Sequence, residues 1–104
     1  MDYTGAPLRE EQLRSATKRE IVTRIIRNLM GIAQRSELND ATLRYLDLIV
    51  TLNPDSSLER LNRGMLRLRA GESAGARQDL KWLLDSSPPG IDLDRVAELY
   101  RRMP

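Results

Sequence analysis

The segment between Pro54 and Pro88 constrains the fold of this chain more than any other segment. The two prolines lie 34 positions apart and enclose two amphipathic helical patterns that are separated by a break at Gly71. The residue before a proline disfavours the helical conformation, so each proline marks the end of a helix. Glycine ends a helix by adopting the left-handed conformation. The segment therefore predicts a hairpin of two antiparallel helices.

This spacing matches the period of a tetratricopeptide repeat, which is a helix–turn–helix unit. In that register the chain places small residues, a turn glycine, a large core residue and a terminating proline where such a repeat has them. These repeat-signature positions are Gly64, Gly71, Ala76, Leu80 and Pro88. A frame shifted back by one period gives a second, degenerate repeat, in which Met30 replaces Gly64 and Glu37 replaces Gly71.

Capping signals and helical spacing extend this pattern along the chain. Thr17 and Glu20 form a capping box before a long helix, and Ser56 and Glu59 repeat that motif later. The long helix carries an apolar sector so wide that we expect two neighbouring helices to cover it. The residues of this sector are Ile21, Val22, Ile25, Ile26, Leu29, Met30, Ile32 and Ala33.

These patterns predict an all-α fold in which antiparallel helical hairpins of tetratricopeptide type form a short right-handed solenoid with a C-terminal capping helix. Residues 1–16 are interpreted as a lead-in with a short helix, and residues 17–104 as the helical domain. Within the domain, repeat one spans about 18–54, repeat two about 55–88 and the capping helix about 92–103. The expected count is five helices, or six with the short N-terminal one.

Composition excludes several classes of function. The 104 residues include no Cys and no His, which rules out disulfides, thiolate or imidazole metal sites and histidine acid–base catalysis within this sequence. The net charge of +2 argues against a dedicated nucleic-acid binder, although binding through arginine faces stays a weaker alternative. Since no apolar run reaches membrane-spanning length and the first residues do not resemble a signal peptide, we expect a cytoplasmic protein without membrane contact.

Four strings occur in the order TKREIVTRIIRNL (17–29), LNP (52–54), RGMLRLRAG (63–71) and ARQDLKWLL (76–84). Together they resemble the C-terminal region of bacterial transglutaminase-like proteins of the Sir-B type. The resemblance covers residues 17–88 and implies a helical tail of tetratricopeptide character behind a transglutaminase-like domain. No part of this sequence corresponds to that domain, and a Cys–His–Asp catalytic set cannot be assembled from it. We therefore expect an excised domain or a stand-alone relative.

Arg63 and Asp79 are the candidate structural pair. In the repeat register Arg63 lies on the first helix where it faces the second, and Asp79 lies nearby on that second helix. We interpret them as an ion pair that locks the hairpin, because paired interior charges serve architecture more often than chemistry.

A partner-binding groove is the second candidate. Its basic part would be Arg24, Arg27 and Arg35, which could hold acidic peptide segments through bidentate guanidinium groups. Its apolar part would be formed by equivalent positions of the second repeat, namely Leu58, Leu61, Met65 and Leu68. The alternatives are a solvated charged face for the arginines and burial under neighbouring helices for the apolar residues.

The sequence thus predicts a non-catalytic protein-interaction or scaffold domain, a fragment of a larger transglutaminase-like protein, with no cofactor and no metal site. The expected partner is another protein or the catalytic-like domain of its own parent. The alternative is a regulatory domain that a transglutaminase-like or protease-like enzyme requires in cis. Homodimer formation through the open ends of the solenoid is a further expectation.

Overall fold

The computed structural model describes residues 17–103, which form five α-helices and no β-strand. The helices are α1 (Lys18–Arg35), α2 (Asn39–Leu52), α3 (Ser57–Arg69), α4 (Ser73–Ser86) and α5 (Leu93–Arg102). Each helix packs against the next one along the chain. This arrangement confirms the prediction of an all-α solenoid of helical hairpins. The short helix predicted before Thr17 lies outside the described residues.

The two hairpins turn through the same hydrogen-bonded loop at positions that are one repeat period apart. The N–H groups of Glu37 and Leu38 donate to carbonyls of the last turn of α1 at 3.1 and 2.9 Å. The N–H groups of Gly71 and Glu72 donate in the same pattern to the last turn of α3 at 3.2 and 2.8 Å. The first residue of each pair has a positive φ, 58° at Glu37 and 81° at Gly71. The first hairpin therefore has a glutamate at a turn position whose positive φ favours glycine.

The N-termini of α1 and α3 differ from each other. The Thr17 hydroxyl accepts from the Glu20 N–H at 3.1 Å, and the Glu20 carboxylate accepts from the Thr17 N–H at 3.0 Å. That backbone hydrogen bond lowers the pKa of the Glu20 carboxyl below its ordinary value of 4.5. At α3 the expected capping box is absent, because the Ser56 hydroxyl donates to the Glu59 carboxylate and caps no backbone group.

The repeat-signature residues occupy distinct structural positions. Ala76 and Leu80 are fully buried, and Gly71 has the left-handed φ that its turn requires. Gly64 is buried where α3 and α4 approach each other. Pro88 follows the left-handed C-cap of α4.

Each hairpin has its own apolar cluster. The first lies between α1 and α2 and is closed by Leu66 of α3, and its buried members are Ile26, Met30, Leu46 and Ile49. The second lies on α4 and is closed by α5, and its buried members are Ala76, Leu80, Leu83, Val96 and Met103. Since Val96 is 1% exposed, α5 covers the end of the solenoid as the capping helix was expected to do.

The apolar sector of α1 is only partly covered within residues 17–103. Its buried members are Ile26, Met30 and Ala33, which lie beside the buried Thr23, and Ile21 is half-buried. The other four members are 42 to 54% exposed, namely Val22, Ile25, Leu29 and Ile32. We call these four residues the α1 stripe. Within residues 17–103, α1 packs on α2 and is also contacted by Glu59 of α3, and both contacts leave the α1 stripe uncovered.

Candidate interaction surfaces

The two helices of the second hairpin approach each other closely at Gly64. A Cβ atom placed on Gly64 would lie 3.2 Å from the Cβ of Asp79 and 3.6 Å from a methyl group of Leu80. Because glycine has no side chain, α4 can lie close enough to α3 for the short Asp79 side chain to reach the α3 arginines.

Asp79 is the centre of an ion cluster that joins three helices. Its carboxylate is 1% exposed and accepts two hydrogen bonds from Arg63, at 2.9 Å from Nε and 2.7 Å from Nη2. Arg67 donates a third from Nη1 at 3.1 Å. Asp47 of α2 accepts from the same two arginines at 3.1 and 3.3 Å. The predicted pair of Arg63 and Asp79 is therefore in contact, within a cluster that also includes Arg67 and Asp47.

The environment of the cluster shifts the pKa of Arg63 and the pKa of the neighbouring Arg60 in opposite directions. The hydrogen bond to Asp79 raises the pKa of Arg63. Burial, followed by the nearby charge of Arg63, lowers the pKa of Arg60, whose guanidinium lies 4.2 Å from the centre of the Trp82 ring. Because Arg63 and Arg67 of α3 both donate to the buried Asp79 carboxylate of α4, the cluster is suited to hold α3 and α4 together.

The structure brings together two of the three arginines predicted for the groove. Arg24 and Arg27 line a small cleft of about 210 Å³ with Glu20, Thr23 and Asn53, whereas Arg35 is not part of it. Arg27 donates to the buried Glu59 carboxylate of α3 at 2.9 Å and is thus already paired. Whether Arg24, Arg27 or Arg35 contacts a partner stays a prediction.

The four apolar residues predicted for the groove do not share one surface. Leu61 and Leu68 pack against the second cluster, and Met65 lines a cleft that α3 shares with the preceding hairpin. Leu58 is 58% exposed near the start of α3. Leu61 and Leu68 are thus partly buried by neighbouring helices. Binding of a partner by any of the four stays a prediction.

A second cleft lies between α1, α2 and α3 and has a volume of about 340 Å³. Its apolar surface comes from Leu46, Met65 and Leu66, and the hydroxyl-bearing Thr42 also lines it. Four polar side chains surround it, and none of them makes a side-chain hydrogen bond or ion pair with any residue in 17–103. They are Gln34, Asn39, Asn62 and Arg69. We call this feature the α1–α3 cleft.

Sequence reasoning did not identify the polar residues of the α1–α3 cleft, although the repeat period contains a signal for two of them. Asn28 and Arg35 of the first repeat recur as Asn62 and Arg69 of the second. In α3 that pair faces the hairpin that precedes it. Gln34 and Asn39 come from either side of the first turn, and only the tertiary arrangement brings them together with α3.

Comparison with known families gives one match, to the tetratricopeptide repeat model, over residues 29–101. The matched region contains both repeated turns, the ion cluster and the α1–α3 cleft. The chain belongs to the tetratricopeptide repeat family. Such repeats are typically non-catalytic and support protein interaction.

Two curated relatives extend the comparison. The chain is 33% identical over 84 residues to a UPF0162 protein of Xylella fastidiosa strain Temecula1, and equally to one of strain 9a5c. The matched region is 81% of this chain but 30% of each relative, so the chain spans under a third of the length of these proteins. No solved structure matches the chain. Nothing in these matches supports the transglutaminase-like part of the expected resemblance.

Two further properties concern residues 17–103 alone. None of the helices there is both long and apolar enough to cross a lipid bilayer. No group of three or more carboxylates in the same range could hold a metal ion.

Proposed function

We propose that this domain is a protein-interaction scaffold and that the α1–α3 cleft is its binding surface. The observation that carries the proposal is a set of polar side chains around an apolar floor that make no side-chain hydrogen bond or ion pair within residues 17–103. A ligand site combines such a floor with a few polar groups that fix orientation. The ion cluster of Asp79 lacks this property, because its arginines already have partners.

The chemistry of the cleft favours an extended peptide segment with one acidic side chain. The amides of Gln34, Asn39 and Asn62 both donate and accept, as a peptide backbone requires. Arg69 offers a guanidinium that can bind a carboxylate through two hydrogen bonds. Met65 adds a flexible apolar contact that adapts to different side chains.

A second candidate follows from the length of the relatives. Because the matched region is 30% of those proteins, the domain could bind or regulate another part of the same polypeptide. The transglutaminase-like domain implied by the sequence resemblance is the candidate partner in that case, and the effect on an enzyme would be exerted in cis. The cytoplasmic location and the self-association through the solenoid ends stay predictions alongside it.

Selection of a random displayed peptide library against the purified chain tests the proposal. We expect enriched peptides to share an Asp or Glu, and calorimetry to show at least about tenfold weaker binding to Arg69→Ala, the loss typical of one charge-assisted hydrogen bond. Arg24→Ala is the matched control, since Arg24 is an exposed arginine in the smaller cleft. Loss of binding in Arg24→Ala alone would move the site to the groove predicted from sequence. Failure to enrich any peptide would contradict the scaffold function itself.

A further inference from the structure

The α1 stripe is a continuous apolar row on a helix whose other exposed side chains are polar. Its members, Val22, Ile25, Leu29 and Ile32, follow one another at spacings of three, four and three residues, so they lie along one face of the helix. The row extends over ten residues, which is about 15 Å at the rise of an α-helix. One short segment of chain is therefore long enough to cover it.

The second repeat shows which part of a chain covers this face. The positions one repeat period after the stripe are Ser56, Glu59, Arg63 and Leu66 of α3. Arg63 binds Asp47 of α2 at 3.1 Å, and Leu66 packs into the apolar cluster between α1 and α2. Only four residues connect α2 to α3, so the two helices run antiparallel. The equivalent face of the second repeat is thus covered by the segment that directly precedes its helix along the chain.

The two residues that meet at this junction change their chemical character together from one repeat to the other. One period before Arg63 stands Leu29 of the stripe, and one period before Asp47 stands Leu13. An ion pair in the second repeat thus corresponds to two leucines in the first. Such a joint change keeps the two sides of a contact compatible, because a charge facing a leucine would be buried without a partner. Residues 1–16 therefore contain an apolar residue at the register position that corresponds to Asp47.

We propose that residues 1–16 of this chain fold back along α1 and cover the α1 stripe with Leu8 and Leu13. Thr17 caps the first turn of α1, so these residues join the helix at the N-terminal end of the stripe. The charges of the two segments are complementary, since α1 carries five basic and one acidic side chain, whereas residues 1–16 carry three acidic and two basic ones. The proposal goes beyond the scaffold function and does not involve the α1–α3 cleft.

The start of α1 determines which residues meet. In the repeat frame α1 begins five positions earlier than α3, so the chain reverses closer to the N-terminal end of the stripe than it does in the second repeat. Leu13 therefore lies against Val22 and Ile25, and Leu8 lies against Leu29. Residues 1–16 then cap this end of the solenoid as α5 caps the other end.

Thiol labelling of the full 104-residue chain tests the cover. The chain contains no Cys, so Ile25→Cys introduces a single thiol in the stripe, and the control Leu48→Cys introduces one at a similarly exposed position of α2. A neutral maleimide should label Ile25→Cys at least about tenfold more slowly than Leu48→Cys, because the reaction requires the covering segment to open. Adding Leu8→Gln and Leu13→Gln should raise the first rate to the second and leave the second unchanged.

Three results of this experiment would overturn the proposal. Equal labelling of Ile25→Cys and Leu48→Cys would show that the stripe is open in the free chain. Slow labelling of Ile25→Cys that the two glutamines leave unchanged would show that a different part of the chain covers it. Protection that increases with protein concentration, from about 1 to about 100 micromolar, would show that a second copy covers it.

Disulfide formation tests the same contact without the glutamine substitutions. On oxidation, the pair Leu13→Cys and Ile25→Cys should form an intramolecular disulfide at least about tenfold faster than the pair Leu13→Cys and Leu48→Cys, because a disulfide requires close approach of its two Cα atoms. Equal rates for the two pairs would contradict the proposed contact. None of the substituted residues lines the α1–α3 cleft, so peptide binding there should be unchanged and tests the scaffold function separately.

Discussion

The two hairpins of this solenoid share one repeat frame but hold their helices together by different means. In the first hairpin Met30 is buried between α1 and α2, and Tyr45 packs beside it. The equivalent positions of the second hairpin are Gly64, where the helices approach closely, and Asp79, which is buried among arginines. At these equivalent positions the first hairpin has an apolar contact, and the second has a glycine crossing and an ion cluster beside its own apolar cluster. The repeat frame determines the path of the chain, while the residues that fill the interface between the two helices can differ widely between repeats.

An apolar interface and a buried ion cluster respond differently to substitution of one of their residues. An apolar interface loses contacts gradually when a side chain is shortened. A buried ion cluster leaves uncompensated charge when one partner is removed, so its loss is abrupt. Substitutions at corresponding places in the two hairpins should therefore have different effects on stability.

Asp79→Ala should destabilise the domain by about 3 kcal/mol, because it leaves the partly buried Arg63 and Arg67 without their shared carboxylate. Urea denaturation followed by circular dichroism measures the change. Asp85→Ala is the control, since Asp85 forms an exposed pair with Lys81 at 2.8 Å and its removal should cost under about 0.5 kcal/mol. Equal stability of the two variants would show that the cluster does not hold α3 and α4 together.

Gly64→Ala and Gly31→Ala should change stability in opposite directions. The new Cβ at Gly64 would crowd the Asp79 Cβ at 3.2 Å, and separating the helices should outweigh the better helix propensity by about 1 kcal/mol. At Gly31 the nearest atom is the end of the flexible Arg35 side chain at 3.4 Å, so alanine should stabilise α1 by up to about 1 kcal/mol. Thermal denaturation of both variants checks the signs. Stabilisation by Gly64→Ala would contradict a close crossing.

Substitutions at the two turn residues, Glu37 and Gly71, should change the stability of the chain in opposite directions. Glu37→Gly should stabilise the chain by about 0.5 kcal/mol, because glycine adopts a positive φ without strain. Gly71→Ala should destabilise it by about 1 kcal/mol, through backbone strain alone, since no atom lies within 4 Å of the added methyl group. The same denaturation experiment measures both changes. Loss of stability in Glu37→Gly would show that the side chain of Glu37 outweighs its strained backbone.

Much of the fold could be predicted from local sequence because its determinants are local. Helical spacing, the capping box at Thr17 and the turn at Gly71 act over short stretches of chain, and the repeat period then requires hairpins. Arg63 and Asp79 could be paired because both lie within one hairpin. The role of Asp47 could not be predicted, since it belongs to the previous hairpin and reaches the cluster only through the packing of α2 on α3.

The sequence by itself determined the helices, their pairing into hairpins and the absence of cysteine and histidine chemistry. The tertiary structure decided which surfaces are available. It partly buried Leu61 and Leu68, left Val22 and Ile25 exposed, and placed around Met65 amides that make no side-chain hydrogen bond within residues 17–103. The physical reason is that periodicity identifies an apolar face but not its neighbour, because a neighbouring helix is contributed by a distant part of the chain or by another molecule.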